Sequence, residues 1–341
     1  MKHTYNCIER YIEQGYLNNI NILVGKGDTV IANIAKSTEK EIDNKTLFDM
    51  ASVTKIMVTT MLSLIALDKG YIKLTDTVST FFEVPEDKEE ITIEHLLTHT
   101  FGIGGKSLVH DGNNYDNIEN YILNINLDIP VGTDVRYSCS GFILLGKILQ
   151  KVFGKRLDEL FSELIAKPLK LENTSFCPNK NNYFVNSNID EDECGLVNDF
   201  NCRFLGGIAG NAGLFSNVED VSKFVKMLLA YGEPLIKKET FLSAIKNYTP
   251  QMSASRGLGF LYVDEKYNQT GNLFANGSIG HCGHTGQSVF LDVKTGLYVI
   301  VLSDATISVI KTCDRDRYDI VMKMREELHS AIKEDLEQLA L

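Results

Sequence analysis

The sequence has 341 residues, 44% hydrophobic and 23% charged, with 34 Lys and Arg against 45 Asp and Glu for a net charge of −11. That length suits roughly two domains or one large one, and the composition excludes a disordered or fibrous chain. The acidic surplus, with no long basic run to offset it, argues against a nucleic-acid partner.

Apolar runs are short. The longest, 56–67, contains two Thr and a Ser and ends at Asp68, whereas a membrane helix needs about 20 apolar residues. No membrane span is predicted. The opening residues alternate polar and apolar and offer no hydrophobic signal-peptide core. Seven cysteines, at 7, 139, 177, 194, 202, 282 and 313, form no metal-ligand doublet and read as reduced thiols. A cytoplasmic location is expected.

In chain order, residues 3–17 carry helical spacing (Tyr5, Ile8, Tyr11, Ile12, Leu17), with Gly15 as a stop signal. Residues 20–36 read as two strands joined at Gly25-Lys26-Gly27-Asp28. Residues 47–70 are predicted to contain a buried helix ending at Gly70. Short helices in long loops rich in Asn and Gly follow over 72–214. A helix over 216–229 is predicted to open on a capping box of Ser216 and Glu219. Segments 256–263, 284–293 and 296–303 read as three successive strands, and Asp316 to Ala340 as an amphipathic helix. Strands towards both ends with a helical middle point to an α+β fold. It comprises a discontinuous sheet domain, 1–71 and 215–341, and a mainly helical insertion domain, 72–214.

The first chemical candidate is Ser52-Val53-Thr54-Lys55. Positions i and i+3 share one helix face, so the amine can reach the hydroxyl. A helix N-terminus also supplies N–H groups for a developing oxyanion. A neutral Lys55 could take the serine proton if burial or a neighbouring cation lowers its pKa. The motif alone is weak, because Ser-x-x-Lys strings begin at Ser37, Ser52, Ser243, Ser308 and Ser330. Only Ser52 opens a long apolar helix after a strand pair and a loop.

Five blocks, at 47–78, 91–105, 136–149, 206–224 and 279–303, together resemble the class C β-lactamase-related serine hydrolases. That group includes class C β-lactamases, low-molecular-weight penicillin-binding proteins and family carboxylesterases. The resemblance implies a β-lactamase/transpeptidase-like fold, with an antiparallel sheet flanked by helices and a helical insertion. Its three catalytic elements are Ser-x-x-Lys, Tyr-x-Asn and a Lys-Thr-Gly or His-Thr-Gly strand motif. The first falls on Ser52 and Lys55. The second falls on Tyr137-Ser138-Cys139, because the family's helix sequence follows. By resemblance Tyr137 relays the proton to the leaving group. Cys139 stands where Asn or Asp is usual, and a thiol is a weak hydrogen-bond partner. Literal Tyr-x-Asn strings at Tyr16-Leu17-Asn18 and Tyr115-Asp116-Asn117 lack the helix and read as surface loops.

For the third element, Lys294-Thr295-Gly296 lies between two strands and reads as a hairpin turn. Gly280-His281-Cys282-Gly283 is the favoured match, with His281 at the lysine position. An alternative register uses His284-Thr285-Gly286. In the favoured register the resemblance implies the backbone N–H groups of Ser52 and His284 as oxyanion donors, with Cys139, Cys282 and Gly283 lining the substrate site. A largely neutral imidazole attracts a substrate carboxylate less than an ammonium does. Poorer handling of penicillins and more tolerance of neutral esters or amides are therefore expected.

Other residues have plainer readings. His95 and His99 lie four apart, as zinc ligands can, but no Glu follows His95 and both read as scaffold. His281, Cys282, His284 and Cys139 could hold a soft metal or oxidise together, with simple space-filling by the two cysteines favoured. Gly206, Gly207, Gly210 and Gly213 fit no phosphate loop and read as a loop packed under the site.

The sequence is thus expected to encode a serine hydrolase acting on a small-molecule ester or amide through a Ser52 acyl-enzyme. D-amino-acid peptides or β-lactams are further candidate substrates. Lys55, Tyr137 and His281 are its other catalytic groups, and no metal or organic cofactor is expected. The rival reading is a catalytically silent binding protein, favoured by Cys139 and Cys282. Oligomeric state is not legible.

Overall fold

The computed structural model describes residues 1–105, 117–179, 183–266, 269–313 and 317–339. Among these, strands β1 (Asn19–Lys26), β2 (Thr29–Ser37), β3 (Phe48–Asp49), β4 (Ser175–Phe176), β5 (Leu214–Ser216), β6 (Leu261–Tyr262), β7 (Ile279–Cys282), β8 (Ser288–Leu291) and β9 (Leu297–Ser303) form two sheets. The larger has the order β2-β1-β9-β8-β7-β6 and is antiparallel at every pairing. The smaller runs β3-β5-β4. With helices on both sides of the large sheet, the architecture is α+β.

β1 is buried along seven of its eight residues because it lies between β2 and β9 and is covered on both faces. Ile20, Ile22 and Val24 pack with Val299 and Val301 beneath the helices Lys2–Glu13 and Arg317–Gln338. Leu23, Tyr298, Ile300 and Leu302 point the other way, into the larger core shared with the helical region. This is the period-two alternation of a strand whose two faces are both apolar.

The run Ala51–Asp68 is the one helix among the described residues long and apolar enough to cross a membrane. Within the fold, 83% of it is buried, and Ile56, Met57, Met61, Leu62 and Leu64 are fully enclosed core residues. It is not uniformly α-helical. A 3-10 turn at Ala51–Val53 precedes π-helical bonding over Lys55–Thr60 and an α-helix from Met61 to Asp68. Such wide turns recur at functional sites.

Three local expectations need correction. Residues 216–229 do not open on Ser216: the helix is Val218–Leu229, capped by Asn217, whose side chain accepts from the Asp220 N–H at 2.9 Å. Ser216 belongs to β5, paired with Phe48. The segment 284–293 is a turn followed by β8, and the preceding β7 is a separate strand, registered so that Cys282 faces Ser288. Residues 256–263 yield only the two-residue β6, with Arg256 bridged to Leu261.

Candidate active site

The small sheet sets the serine. β3 pairs with β5, and the Met50 N–H donates to the Leu214 carbonyl at 2.9 Å. The chain then turns sharply, with Ala51 at φ 44°, a left-handed value that a β-carbon disfavours. Asp49 braces that turn, its carboxylate accepting from the N–H of Ala51 at 2.8 Å and of Asn198 at 2.7 Å. Burial pushes the Asp49 carboxyl up to about 6 against those two backbone donors. Strain of this kind persists where surrounding bonds over-determine it, and here it presents Ser52 at the start of the core helix.

Ser52 Oγ accepts from Lys55 Nζ at 2.9 Å and from Tyr137 Oη–H at 2.7 Å. Lys55 is fully buried. Its ammonium also donates to the Asn211 carbonyl at 3.0 Å and to Cys139 Sγ at 3.6 Å. Burial pulls the Lys55 pKa down, but its interactions with Cys139 and Tyr137 pull it up, and the net direction is upward. The condition set for a neutral Lys55, a lowered pKa, is therefore not met by Lys55 in the resting site. Burial likewise raises Tyr137, with Lys55 opposing.

Tyr137 precedes the helix Cys139–Phe153 and is held by His99. The His99 carbonyl accepts from the Arg136 N–H at 2.8 Å, and its Nδ1 accepts from the Ser138 N–H at 3.2 Å. Its ring lies 4.7 Å from that of Tyr137 and 5.0 Å from that of Phe142. His95 instead exchanges hydrogen bonds with Thr92, capping the helix Ile93–Leu97. The two histidines thus act in different places, neither as half of a ligand pair. Among the described residues no group of three or more His, Cys, Asp or Glu could hold a metal ion.

The opposite wall is β7 and the turn after it. His281 is 2% exposed, with Nδ1 2.8 Å from the Cys282 carbonyl and Nε2 without a partner. Burial, reinforced by Lys55 and Arg256, holds its ring well below the usual imidazole range, so it is neutral. His284 is exposed beyond the strand, its ring 6.3 Å from Tyr318. Gly283 brings this wall close: a β-carbon there would sit 2.8 Å from the Met50 carbonyl oxygen. The Thr285 hydroxyl adds a bond to the Asp49 carbonyl at 3.1 Å.

Between the walls lies a cleft of about 350 Å³ lined by Ser52, Tyr137, Cys139, His281, Cys282, Gly283 and His284. The structure thus brings together every residue singled out for the site except Lys55, which reaches Ser52 from beneath. Four further groups were not legible in the sequence. Arg256 and Arg325 add positive charge to the cleft and Asp199 negative charge, while Asn211 supplies a main-chain acceptor to Lys55.

The loop carrying Gly206, Gly207, Gly210 and Gly213 packs under the site. Thr59 donates to the Gly210 carbonyl at 2.6 Å, and a β-carbon on Gly210 would meet the Phe142 oxygen at 2.0 Å. Lys294-Thr295-Gly296 turns between β8 and β9. Tyr16 and Asn18 flank the start of β1, with Asn18 bonded to Ser308 at 3.2 Å. Tyr115 and Asp116 lie outside the described residues. Of the other Ser-x-x-Lys serines, Ser37 ends β2 and Ser243, Ser308 and Ser330 lie inside helices.

Comparison with known proteins gives this geometry a lineage. A curated relative, the N-acetylmuramyl-L-alanine amidase of Bacillus subtilis (strain 168), is 25% identical over 273 residues, covering 66% of this chain. The chain spans only 62% of that amidase's length. A protein of Escherichia coli O157:H7 named "Putative D-alanyl-D-alanine carboxypeptidase" is 27% identical, with 88% of this chain and 82% of that protein covered. Among solved structures, EstCE1, described as a hydrolase with promiscuous acyltransferase activity, superposes with a TM-score of 0.75 at 21% identity. That match covers 96% of this chain and 98% of EstCE1. The octameric penicillin-binding protein homologue from Pyrococcus abyssi gives a TM-score of 0.72 at 20% identity, covering 97% and 78%. The Beta-lactamase family model matches residues 6–319, most of the sequence, so this chain belongs to the Beta-lactamase family.

Proposed function

We propose that the protein hydrolyses a small ester or amide through an acyl-enzyme on Ser52. The observation that carries this reading is the convergence of Lys55 Nζ and Tyr137 Oη on Ser52 Oγ, at 2.9 and 2.7 Å. A nucleophile within hydrogen-bond reach of two proton carriers is the arrangement that acyl transfer needs.

Attack by Ser52 on the substrate carbonyl requires the Lys55–Tyr137 pair to have lost one proton, which leaves it able to accept that of Ser52. The tetrahedral oxyanion is received by the N–H groups of Ser52 and His284. Tyr137 then hands the proton to the leaving group, and water completes the cycle by the reverse path. His281, neutral and with Nε2 unpartnered at the cleft wall, provides a polar contact for the substrate.

The silent-protein alternative leaned on Cys139 and Cys282. Lys55 keeps strong partners in Ser52 and the Asn211 carbonyl, which favours an enzyme even with a thiol at position 139. The seven free cysteines favour a reducing, cytoplasmic setting. A p-nitrophenyl ester and anilide series tests the proposal: turnover lost in Ser52→Ala supports it, and equal turnover in that variant sinks it.

A further inference from the structure

The acyl-transfer sequence uses neither thiol of the cleft, Cys139 or Cys282, and of the two only Cys139 touches Lys55. Cys139 is the first residue of the fifteen-residue helix Cys139–Phe153, lines the cleft and is partly exposed. Its sulfur lies 3.6 Å from Lys55 Nζ. A helix N-terminus and an adjacent cation are the surroundings in which a thiol reacts as a nucleophile. Burial acts the other way on four other cysteines, pushing up the thiols of Cys7, Cys202, Cys194 and Cys177. Cys139 lines the same cleft of about 350 Å³ as His281, whose buried Nε2 has no hydrogen-bond partner, and that volume admits a small polar molecule.

We propose that Cys139 is a peroxide-oxidation site whose oxidised sulfur condenses with Lys55 and switches the hydrolase off. The thiolate attacks the near oxygen of hydrogen peroxide. An S–O bond forms, the O–O bond breaks, sulfur gives up two electrons, and hydroxide leaves. That hydroxide takes a proton from the Lys55 ammonium and becomes water. The sulfur is now part of a neutral sulfenic acid, and burial favours the free amine that remains. The amine attacks the sulfenyl sulfur: an N–S bond forms, the S–O bond breaks, and a second water leaves. Thiolate, ammonium and peroxide have become a sulfenamide and two waters. Drawing Nζ to bonding distance of Cys139 removes it from Ser52 Oγ, and an external dithiol reduces the N–S link and restores both groups.

The loss of activity rests on the hydrolase reading; the N–S link does not. The test treats the full chain with hydrogen peroxide, alkylates the remaining thiols, and combines intact mass and peptide mapping with p-nitrophenyl ester rates. The expected result is a mass lower by two hydrogens, a linked Cys139–Lys55 peptide, and turnover that falls to the Lys55→Ala level and returns with dithiothreitol. Cys139→Ser should keep its own untreated rate after peroxide, whereas Cys177→Ser should lose turnover as the parent does. Cys139 still open to alkylation while turnover falls would overturn the proposal. So would a sulfinic acid at Cys139 with no N–S link, or a linked Cys139 with full turnover. If the untreated chain hydrolyses no ester, the hydrolase reading fails, and the linked peptide alone still decides the chemistry.

Discussion

The two walls of the cleft are built on different rules. On the Ser52 wall each reactive atom is tied: Ser52 Oγ accepts from two residues, and Lys55 Nζ reaches three partners. On the facing wall, His281 Nε2 and Arg325 Nε lack partners although the residues are 2% and 6% exposed; behind the Ser52 wall the same holds only of supporting atoms such as His99 Nε2 and Asn211 Oδ1, not of the reacting ones. A buried polar atom without a partner costs roughly 1–3 kcal/mol. Tied groups hold a fixed geometry for chemistry, while unmatched ones become satisfied when a ligand arrives. On the proposed function, the comparison assigns the reaction to one wall and the reading of substrate to the other.

Substitutions should divide along that line. On the reacting wall, Ser52→Ala should lower kcat by about 10⁴–10⁶ with folding retained, measured as ester turnover beside a circular dichroism melt. Tyr137→Phe deletes only the hydroxyl that donates to Ser52 and should cost about 10²–10³ in kcat. Substrate KM should stay within a few-fold. On the reading wall the split reverses: His281→Ala should raise KM about tenfold, the worth of one hydrogen bond, with kcat little changed. A kcat effect from His281→Ala as large as that of Tyr137→Phe would erase the distinction between the walls.

The rate–pH profile sharpens the same comparison. Lys55 and Tyr137 are both held above their ordinary values, and the reaction needs the pair short of one proton. Log kcat/KM for a neutral ester should therefore climb with a slope near +1 beyond pH 8. His281, neutral throughout because its value lies well below the usual range, should add no inflection near pH 6.5. A plateau from pH 7 upward would contradict this.

The brace beneath the serine should show its effect in stability and not in rate. Folded Asp49 titrates at about 6, against about 3.9 in an unfolded chain. The folded state then binds this proton first, and its contribution is fully present below pH 4. It fades as pH rises through 6, by about 2–3 kcal/mol. Melts of the parent minus Asp49→Asn should show that loss between pH 4 and 6, and parallel curves would refute it.

Much of the reacting wall was legible because it is local. Ser52 and Lys55 share one helix face, and Tyr137 sits just before a helix whose sequence resembles the family's own. The rest depends on contacts that leave no side-chain signature. Asn211 acts through its carbonyl oxygen, an atom every residue possesses. Arg325 arrives from the helix Arg317–Gln338, where an amphipathic pattern shows which face is apolar but not that its arginine bonds the Gly283 carbonyl. β7 was missed as a separate strand because four residues flanked by turns carry too little alternation to mark them. Ser216 mimicked a cap, yet its backbone was already committed to β5. The raised Lys55 follows from Cys139 and Tyr137, 84 and 82 residues away in sequence, which only the fold places beside it.

The central claim is that Ser52 is an activated nucleophile, and reaction with a fluorophosphonate probe tests it most directly. Intact mass and peptide mapping should find one adduct, on Ser52, formed by the parent chain and absent from Lys55→Ala. A folded parent chain that takes no adduct, or one that is labelled equally in Lys55→Ala, would contradict the account.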